Sequence, residues 1–357
     1  MTTSKPGMAL KLRLCLVVAA FLSAGPLRAE RIVLVAGGTK DAVGVPAIEA
    51  RLREPFGTAF DRAGNLFIVE MASGNRLLRV DPTGLLTHVA GSGKAGFSGD
   101  GGPALAAEFD GPHNLAVLPD GNVLIGDTWA GRVRRVDVAG GTVTSLAGYG
   151  VPRDEARKNG PYCITLDFTG TKLFIADLLR VSEMDVATGT MRVVAGNGRK
   201  GRPADGAVAT EAPLVDPRAV APDRKGNLYI LERGGNALRV VAADGRIRTV
   251  VNASGAHGAT GDGGPAAAAT MNGPKHLCVD LDDTVVIADA ENDLIRRYSP
   301  RDGMLTRVAG TGKRGRGAID GSPLECDLAR PHGVTVDRDG VLYITDSYND
   351  RILKIVK

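Results

Sequence analysis

Six prolines are each followed by a residue whose side chain could take part in binding or catalysis. The residues at this position are Phe56, His113, Tyr162, Arg218, Lys275 and His332. The prolines recur every 49 to 57 residues between Pro55 and Pro331, so equivalent positions of a repeated unit would bring the six side chains together. Two imidazoles, two cations and a phenol at one point could bind an anion, and neutral imidazoles are also zinc ligands.

The alternatives for this set of residues differ in chemistry. His113, Arg218 and His332 come from alternate copies of the unit, the arrangement in which three histidines and a water would form a catalytic zinc site. Because an arginine cannot ligate a cation, we predict no cofactor, with zinc or calcium held through His113 and His332 as the alternative. The histidines could also serve only to hydrogen-bond neighbouring units. His276 lies one residue out of register, and we expect its side chain to face the other way.

The single tryptophan, Trp129, follows the strand that ends at Asp127. We expect it on the same face of the molecule as the six residues after the prolines. An aromatic side chain at that position could stack on a sugar or a peptide, or it could pack against the adjacent long loop.

A ring of acids is predicted to have a structural role. One acid ends the second strand of every copy, namely Glu70, Asp127, Asp177, Glu232, Asp289 and Asp346. An active site needs one or two carboxylates in distinct environments, so a regular set is better explained by turn hydrogen bonds and by pairing with a downstream arginine, as in Arg76, Arg132 and Arg351. The Asp-Gly pairs in the long loops, at Asp100, Asp205, Asp262 and Asp320, are interpreted as turns and not as calcium ligands.

The elements that must position these residues are short strands. Each of the six copies contains four short apolar runs separated by Gly and Asp turns, and the innermost run begins near 55, 112, 161, 217, 274 and 331. This pattern predicts an all-β, six-bladed β-propeller of four-stranded blades. The last copy stops after three strands, whereas Ile32–Ala36 matches a fourth strand. The sequence therefore predicts that this N-terminal strand closes the last blade.

The stretch PHGVTVDRDGVLYITDSYNDRI at 331–352, and a weaker copy at 112–137, resemble the NHL repeat. The loops at 90–104 and 261–266 look like the long-loop version of secreted bacterial NHL propellers. The resemblance covers the chain after residue 29 and implies the propeller fold, but propellers host unrelated functions. Peptidyl-amidating lyases are similar propellers with three histidines on alternate blades. His113 and His332 match two of these positions, and Arg218 occupies the third. Gluconolactonase-like propellers, which resemble this architecture, hold a central cation.

Residues 1–29 are predicted to be a signal peptide that precedes a single propeller domain at 30–357. Basic residues lead into the apolar run Leu14–Gly25, which is too short to span a bilayer, and Ala29 precedes the expected cleavage point. We therefore expect a periplasmic or secreted monomer with no membrane span after cleavage, although retention of the segment as an anchor is the alternative. Cleavage would remove four of the 44 basic residues and no acids, so the remaining 40 basic residues would balance the 40 acids. Because the net charge would then be zero, nucleic acid is not an expected partner.

These observations favour an exported binding module for a protein, peptide or glycan, with His113, Trp129, Tyr162, Arg218, Lys275 and His332 contacting the ligand. The alternative is a lyase or lactonase with its site at the mouth of the central channel. In that case His113, Tyr162, Arg218 and His332 are the catalytic candidates, with a histidine as base and Arg218 stabilising an anionic intermediate.

Overall fold

The structure of the protein is a computed structural model that describes residues 1–3, 29–150 and 160–357. Six antiparallel sheets form a ring, and the innermost strand of each sheet contacts the innermost strands of its two neighbours. This arrangement confirms the six-bladed propeller. The predicted signal peptide falls almost wholly on residues 4–28, which lie outside the described residues, so it stays a prediction. Within the described ranges, the structure contains no helix with the length and apolar character needed to cross a bilayer.

Blades are numbered in chain order and their strands run from the channel outward. Blade 1 contains Pro55–Phe60, Leu66–Glu70, Arg76–Val80 and Leu85–Ala90. Blade 2 contains Pro112–Val117, Val123–Asp127, Arg132–Asp137 and Thr142–Gly150. Blade 3 contains Cys163–Leu166, Lys172–Ala176, Val181–Asp185 and Met191–Ala195. Blade 4 contains Pro217–Pro222, Leu228–Glu232, Ala237–Val241 and Ile247–Val251.

Blade 5 contains His276–Val279, Val285–Asp289, Leu294–Ser299 and Met304–Ala309. Blade 6 contains Gly333–Val336, Leu342–Asp346, Arg351–Val356 and, outermost, Arg31–Ala36. Two-residue strands at Val45–Pro46 and Gly264–Pro265 extend blades 1 and 5. Short 3-10 helices lie at Ala104–Ala106, Ala266–Ala268, Ala290–Asn292, Pro323–Glu325 and Ser347–Asn349.

The N-terminal strand closes the ring as predicted. Arg31 pairs with Val356 and Ile32 with Ile355, and after a bulge between Leu34 and Ala36 the last pair joins Ala36 to Ile352. Ile32 is fully buried in a cluster with Leu353 and residues of blade 5. The two ends of the chain therefore share one blade, which leaves no open terminal edge in the ring.

The core lies between the blades. The second strands are buried along almost their whole length, as in Leu66–Glu70 and Leu228–Glu232. Their branched and aromatic side chains pack against both neighbouring sheets, which is why these strands are apolar throughout and do not alternate. The cysteines at 163, 278 and 326 are free, and two of them, Cys163 and Cys326, are buried.

The ring of acids has the structural role that the sequence predicted, although among the described residues Asp177 of blade 3 makes only turn hydrogen bonds and pairs with no arginine side chain. In the other five blades the carboxylate is fully buried and accepts a backbone N–H from the end of the preceding long loop, for example from Asp110 to Asp127 at 2.7 Å. Five arginines of the third strands pair with these acids, namely Arg76, Arg134, Arg239, Arg296 and Arg351. The sequence assignment of Arg132 as the partner of Asp127 was wrong. The reason is that Arg134 points inward and is fully buried, whereas Arg132 is partly exposed and reaches Asp100.

The Asp-Gly turns cover the outer edges of the blades. An N–H in or beside each turn donates to the carbonyl of a buried apolar residue in the outermost strand, as from Gly101 to Val143 and from Gly206 to Ile247, both at 2.8 Å. Asp100 and Asp262 also form salt bridges with Arg134 and Arg296, respectively. Each turn thus joins a long loop to the edge of its blade.

Candidate functional site

The six residues that follow the prolines line one pocket at the mouth of the channel. The pocket has a volume of about 190 Å³, and all six of these side chains contribute to its wall. The residue before the proline adopts a left-handed conformation in most copies, including the non-glycine residues Glu54, Asp216 and Arg330. This turn reverses the chain into the innermost strand and directs the next side chain toward the mouth. Because few residues other than glycine adopt it readily, the geometry is specified by the surrounding fold.

Aromatic and imidazole rings form a continuous arc around the mouth. Phe56 stacks on His332 with ring centroids 4.1 Å apart and meets His113 edge to face at 5.2 Å. Tyr162 contacts His113 at 5.1 Å on the other side. The arc ends where the Arg218 guanidinium lies 3.9 Å from the centre of the Tyr162 ring, a cation–π contact. The four blades that supply the rings therefore hold each other's side chains in place.

His113 is a neutral imidazole that presents an acceptor nitrogen. Its Nδ1 lies 2.7 Å from the Gly111 carbonyl and must donate to it, which leaves Nε2 unprotonated. Burial, opposed by this hydrogen bond and reinforced by Arg218 and Lys275, lowers the pKa of His113 to about 3. At neutral pH the side chain can accept a hydrogen bond but is a weak base.

His332 is in a similar state. It is 8% exposed, and burial, followed by the positive charge of Lys275, lowers its pKa well below the usual range. The Arg330 carbonyl acts in the opposite direction, but it does not form a well-aligned hydrogen bond, because Nδ1 is buried without a partner among the described residues. Both histidines of the mouth are therefore uncharged at neutral pH.

Two cations face the mouth from blades 4 and 5. Arg218 donates from Nε to Asp216 at 2.7 Å, and Lys275 Nζ lies 3.4 Å from Glu291. Burial and then the nearby Arg233 lower the pKa of Lys275 to about 8, although Glu291 acts in the opposite direction. The lysine thus lies in a positive potential that its own carboxylate partner does not cancel.

The carboxylates beside the cations are shared with further arginines. Asp216 also pairs with Arg233 at 3.4 Å, and Glu291 accepts a hydrogen bond from Arg330. Since each carboxylate serves more than one cation, the mouth keeps an excess of positive charge next to its aromatic wall.

Trp129 lies at the mouth and packs against the neighbouring loop. Its indole is partly buried, lies against Gly111, and meets the His113 ring at a centroid distance of 5.9 Å. Any side chain at position 111 would collide with the indole, because a Cβ there would lie 2.5 Å from the ring. Packing against the loop, one of the two sequence interpretations of Trp129, is therefore present in the structure, and stacking on a sugar or a peptide stays a prediction.

Sequence reasoning missed three residues of the wall or rim, namely Glu54, Glu291 and Tyr348. Two of them could have been found by comparison with Trp129, which lies two residues after the acid of blade 2. The equivalent residues in blades 5 and 6 are Glu291 and Tyr348. Tyr348 lines the pocket, and Glu291 binds Lys275 at its rim. Glu54 also belongs to the wall, and only its position before Pro55 indicated this.

His276 corrects one expectation. Its side chain was predicted to face away from the mouth, yet it lines the pocket from below. Its Nε2 lies 2.8 Å from the Asn114 side-chain nitrogen. Blades 2 and 5 are opposite each other in the ring, so this contact crosses the channel and forms the floor of the mouth. Spacing alone could not show this, because the register gives the face of a strand but not the distance across the ring.

The described residues contain no group of three or more His, Cys, Asp and Glu side chains arranged to hold a metal ion. Arg218 and Lys275 would also repel a cation placed between His113 and His332. The prediction that the protein has no cofactor remains untested.

Comparisons with known proteins place these features in a family. Residues 102–260 match the teneurin NHL domain, and residues 328–355 match the NHL repeat. The Arabidopsis thaliana protein SUPPRESSOR OF QUENCHING 1, chloroplastic, is 26% identical over 322 residues. That match includes 84% of this chain but only 30% of the relative, so the relative is a much longer protein.

Solved structures share the fold at low sequence identity. An auxiliary nutrient binding protein from Bacteroides ovatus is 15% identical with a TM-score of 0.68, over 92% of this chain and 76% of that one. Virginiamycin B lyase from Staphylococcus aureus is 13% identical with a TM-score of 0.56, over 92% of this chain and 99% of that one. At such identities the likeness concerns the fold alone.

Proposed function

Since the chain is an NHL-repeat β-propeller, we propose that it is a binding module whose channel mouth takes the anionic end group of a peptide or glycan. The observation that carries this proposal is the convergence of Arg218 and Lys275 on an aromatic pocket whose histidines are neutral. A similar propeller described as an auxiliary nutrient binding protein supports a binding role. Export to the periplasm or beyond, as a monomer with no nucleic-acid partner, belongs to the same proposal.

The shape of the mouth limits what can enter it. A volume of about 190 Å³ is close to the 150 Å³ of an engineered cavity that binds benzene, so the pocket can hold one ring or one terminal residue. Tyr348 is 51% exposed at the rim, where it can contact the rest of an extended ligand. A carboxylate on the terminal unit would lie between Arg218 and Lys275, with His113 Nε2 accepting a hydroxyl or amide hydrogen.

The experiment is a binding titration that uses the single tryptophan as the reporter. Oligogalacturonates and peptides with a free carboxyl terminus would be compared with their neutral counterparts, namely galactose oligomers and peptide amides. We expect an acidic ligand to change Trp129 fluorescence and its neutral counterpart to bind about 10- to 100-fold more weakly, as the loss of a charged hydrogen bond requires. Equal affinity within each pair would contradict an anion site.

Matched variants locate the site. Lys275→Gln and Arg218→Gln should each weaken binding of the acidic ligand by about tenfold or more. Lys94→Gln, at an exposed lysine that does not line the pocket, should leave the affinity unchanged. Affinity should also fall as the pH rises through about 8, because Lys275 then loses its charge. That pH dependence should be absent in Lys275→Gln, and its persistence there would assign the effect to another group.

A second candidate function is a lyase-type reaction, and the state of Lys275 favours it. A general base works best when its pKa is near the working pH, which excludes His113 in this role and suits Lys275. Lys275 would take the proton from the carbon beside the carboxyl group of the substrate, and Arg218 would stabilise the enolate that forms. The bond between the adjacent carbon and its oxygen would then break to give a double bond, and the leaving oxygen would take up a proton. Turnover of lactones or acidic glycans at a rate that rises toward pH 8 and is lost in Lys275→Gln would support catalysis. Binding of these compounds without turnover would support the binding function instead.

A further inference from the structure

The channel contains a second cavity below the floor of the mouth, which we call the far chamber. It has a volume of about 380 Å³ and is lined by the last residue of the innermost strand in every blade. These residues are Phe60, Val117, Leu166, Pro222, Val279 and Val336. Phe168, 56% exposed, lies at its rim, so the chamber opens on the side of the ring opposite the mouth.

The wall of the far chamber is uncharged. Among the described residues, none of those that line it is Asp, Glu, Lys or Arg, although charged residues make up 24% of the sequence. Small side chains such as Ala59, Ala116 and Thr335 leave the space open. A cavity that is concave, mostly apolar and supplied with a few polar groups has the composition of a site for a small molecule.

Besides the hydroxyls of Thr58, Thr165 and Thr335, the polar groups of the chamber lie in its roof. Ile164 N–H donates to Asn114 Oδ1 at 3.2 Å, and Val334 N lies 3.3 Å from His276 Nδ1. The two side chains meet at 2.8 Å across the channel. The roof is therefore a chain of four groups contributed by blades 2, 3, 5 and 6.

This chain has too few acceptors. If His276 Nε2 accepts from the Asn114 amide, the proton of the neutral imidazole lies on Nδ1 and faces the Val334 N–H. If the proton lies on Nε2, the Asn114 oxygen must turn toward it and leave the Ile164 N–H unpaired. Burial lowers the pKa of His276 to about 4, and protonation would in any case add a donor. In every arrangement an N–H of the roof lacks an acceptor.

We propose that the far chamber binds a small, uncharged, mainly apolar molecule whose single carbonyl or hydroxyl oxygen accepts this hydrogen bond from the roof. The apolar body would lie against the six strand-end side chains and replace water there. The site is separate from the mouth, because Asn114 and His276 close the channel between them, and it does not depend on the ligand proposed for the mouth.

Acetophenone and ethylbenzene make a suitable pair of probes, since they share a ring and a two-carbon substituent and differ in the carbonyl oxygen. Binding to the full chain would be measured by ligand-detected NMR. We expect saturable binding of acetophenone at one site per chain, about three- to tenfold tighter than ethylbenzene, as one neutral hydrogen bond allows. Absence of saturable acetophenone binding, or equal affinity for both probes, would overturn the proposal.

Variants separate this site from the mouth. Ala59→Phe should fill the chamber and weaken acetophenone more than tenfold, whereas Lys275→Gln should leave it unchanged. If Ala59→Phe does not fold, as judged by circular dichroism, the smaller change Thr335→Leu replaces it and should weaken binding measurably. Unchanged affinity in a folded chamber variant, or loss of affinity in Lys275→Gln, would place the probe elsewhere and overturn the assignment.

Discussion

Blade 3 differs from the other five blades in the three devices that hold the ring together. Elsewhere a buried acid pairs with an arginine of the third strand, whereas Asp177 of blade 3 accepts N–H groups from Leu179 and Arg180 in its own turn. Its third strand, Val181–Asp185, contains no arginine. The repeat therefore tolerates one blade whose acid is used locally.

The second device is a side-chain bond between neighbouring blades, which we call the seam bond. An Asn or Asp in a left-handed conformation between strands two and three accepts the N–H of the residue before the next blade's proline. Seam bonds join Asn75 to Gly111, Asn236 to Gly273, Asp293 to Arg330 and Asp350 to Glu54. Among the described residues, the two seams that flank blade 3 lack one, and Gly131 occupies the position in blade 2.

The third device is the cover over the outermost strand. Five equivalent apolar residues, Ile32, Leu86, Val143, Ile247 and Leu305, are at most 1% exposed under a loop that bonds to their carbonyls. Met191 of blade 3 is 40% exposed at the same position. The segment that corresponds to the covering loop falls on residues 151–159, outside the described residues. The comparison teaches that the four-stranded sheets define the ring, while the loops and seams add stability blade by blade.

The largest effect is expected from breaking a buried ion pair. Arg296→Ala would leave Asp289 buried without its cation and should lower the free energy of unfolding by about 3–5 kcal/mol. Ser182→Ala, at the matching position of blade 3, should change it by less than about 1 kcal/mol. Denaturant unfolding of both variants measures the difference, and similar losses would show that Ser182 stabilises blade 3 as much as the ion pair stabilises blade 5.

Removal of an apolar side chain from a covered strand should come next. Ile32→Ala should cost about 2–5 kcal/mol, because the side chain is fully buried between blades 5 and 6. Met191→Ala, the exposed equivalent, should cost less than about 1 kcal/mol. Thermal unfolding of the pair tests the closing strand directly, and an unchanged melting temperature in Ile32→Ala would argue against ring closure.

The buried acids should make stability depend on pH. Burial outweighs the Asp110 N–H and Arg134 and raises the pKa of Asp127 to about 7, above its value in the unfolded chain. Between pH 4 and 7 the folded state then holds a proton that the unfolded state has lost, so the wild type should lose stability as the pH rises. Over this pH range the free energy of unfolding of the wild type should fall by about 2–4 kcal/mol more than that of Asp127→Asn.

Unfolding measured at pH 4.5 and 7.5 tests this dependence, with Asp120→Asn, an exposed carboxylate of the same blade, as the control. If the wild type gained stability over this range, Asp127 would be ionised throughout and its pairing with Arg134 would outweigh burial.

The smallest effect concerns one seam. Asn236→Ala should cost about 1–3 kcal/mol, because the Gly273 N–H would remain buried without an acceptor. Asn227→Ala, in a turn of the same blade that is partly exposed, should cost less. Hydrogen exchange at Gly273 should accelerate only in Asn236→Ala, and equal protection in both variants would show that the seam is held by other contacts.

Much of the architecture was determined by the sequence itself. Six prolines at similar spacing, one acid per copy and a final copy one strand short predicted the ring, its blade boundaries and the closing strand Ile32–Ala36. These features are local and repeated, so the physical constraint that produces them is visible in any one copy. The residues after the prolines could be placed at the mouth for the same reason.

Only the tertiary structure decided which partners meet across the ring. The shared use of Glu291 by Lys275 and Arg330, and the contact between Asn114 and His276, join residues whose separation along the chain carries no periodic signal. Arg134 is different, because it lies seven residues after its acid, as Arg239 and Arg296 lie after theirs. The contacts across the ring depend on the diameter of the channel and the tilt of the blades, which six sheets set together. Burial of the same groups then determines their charge, and this is why the mouth has two neutral histidines beside two cations.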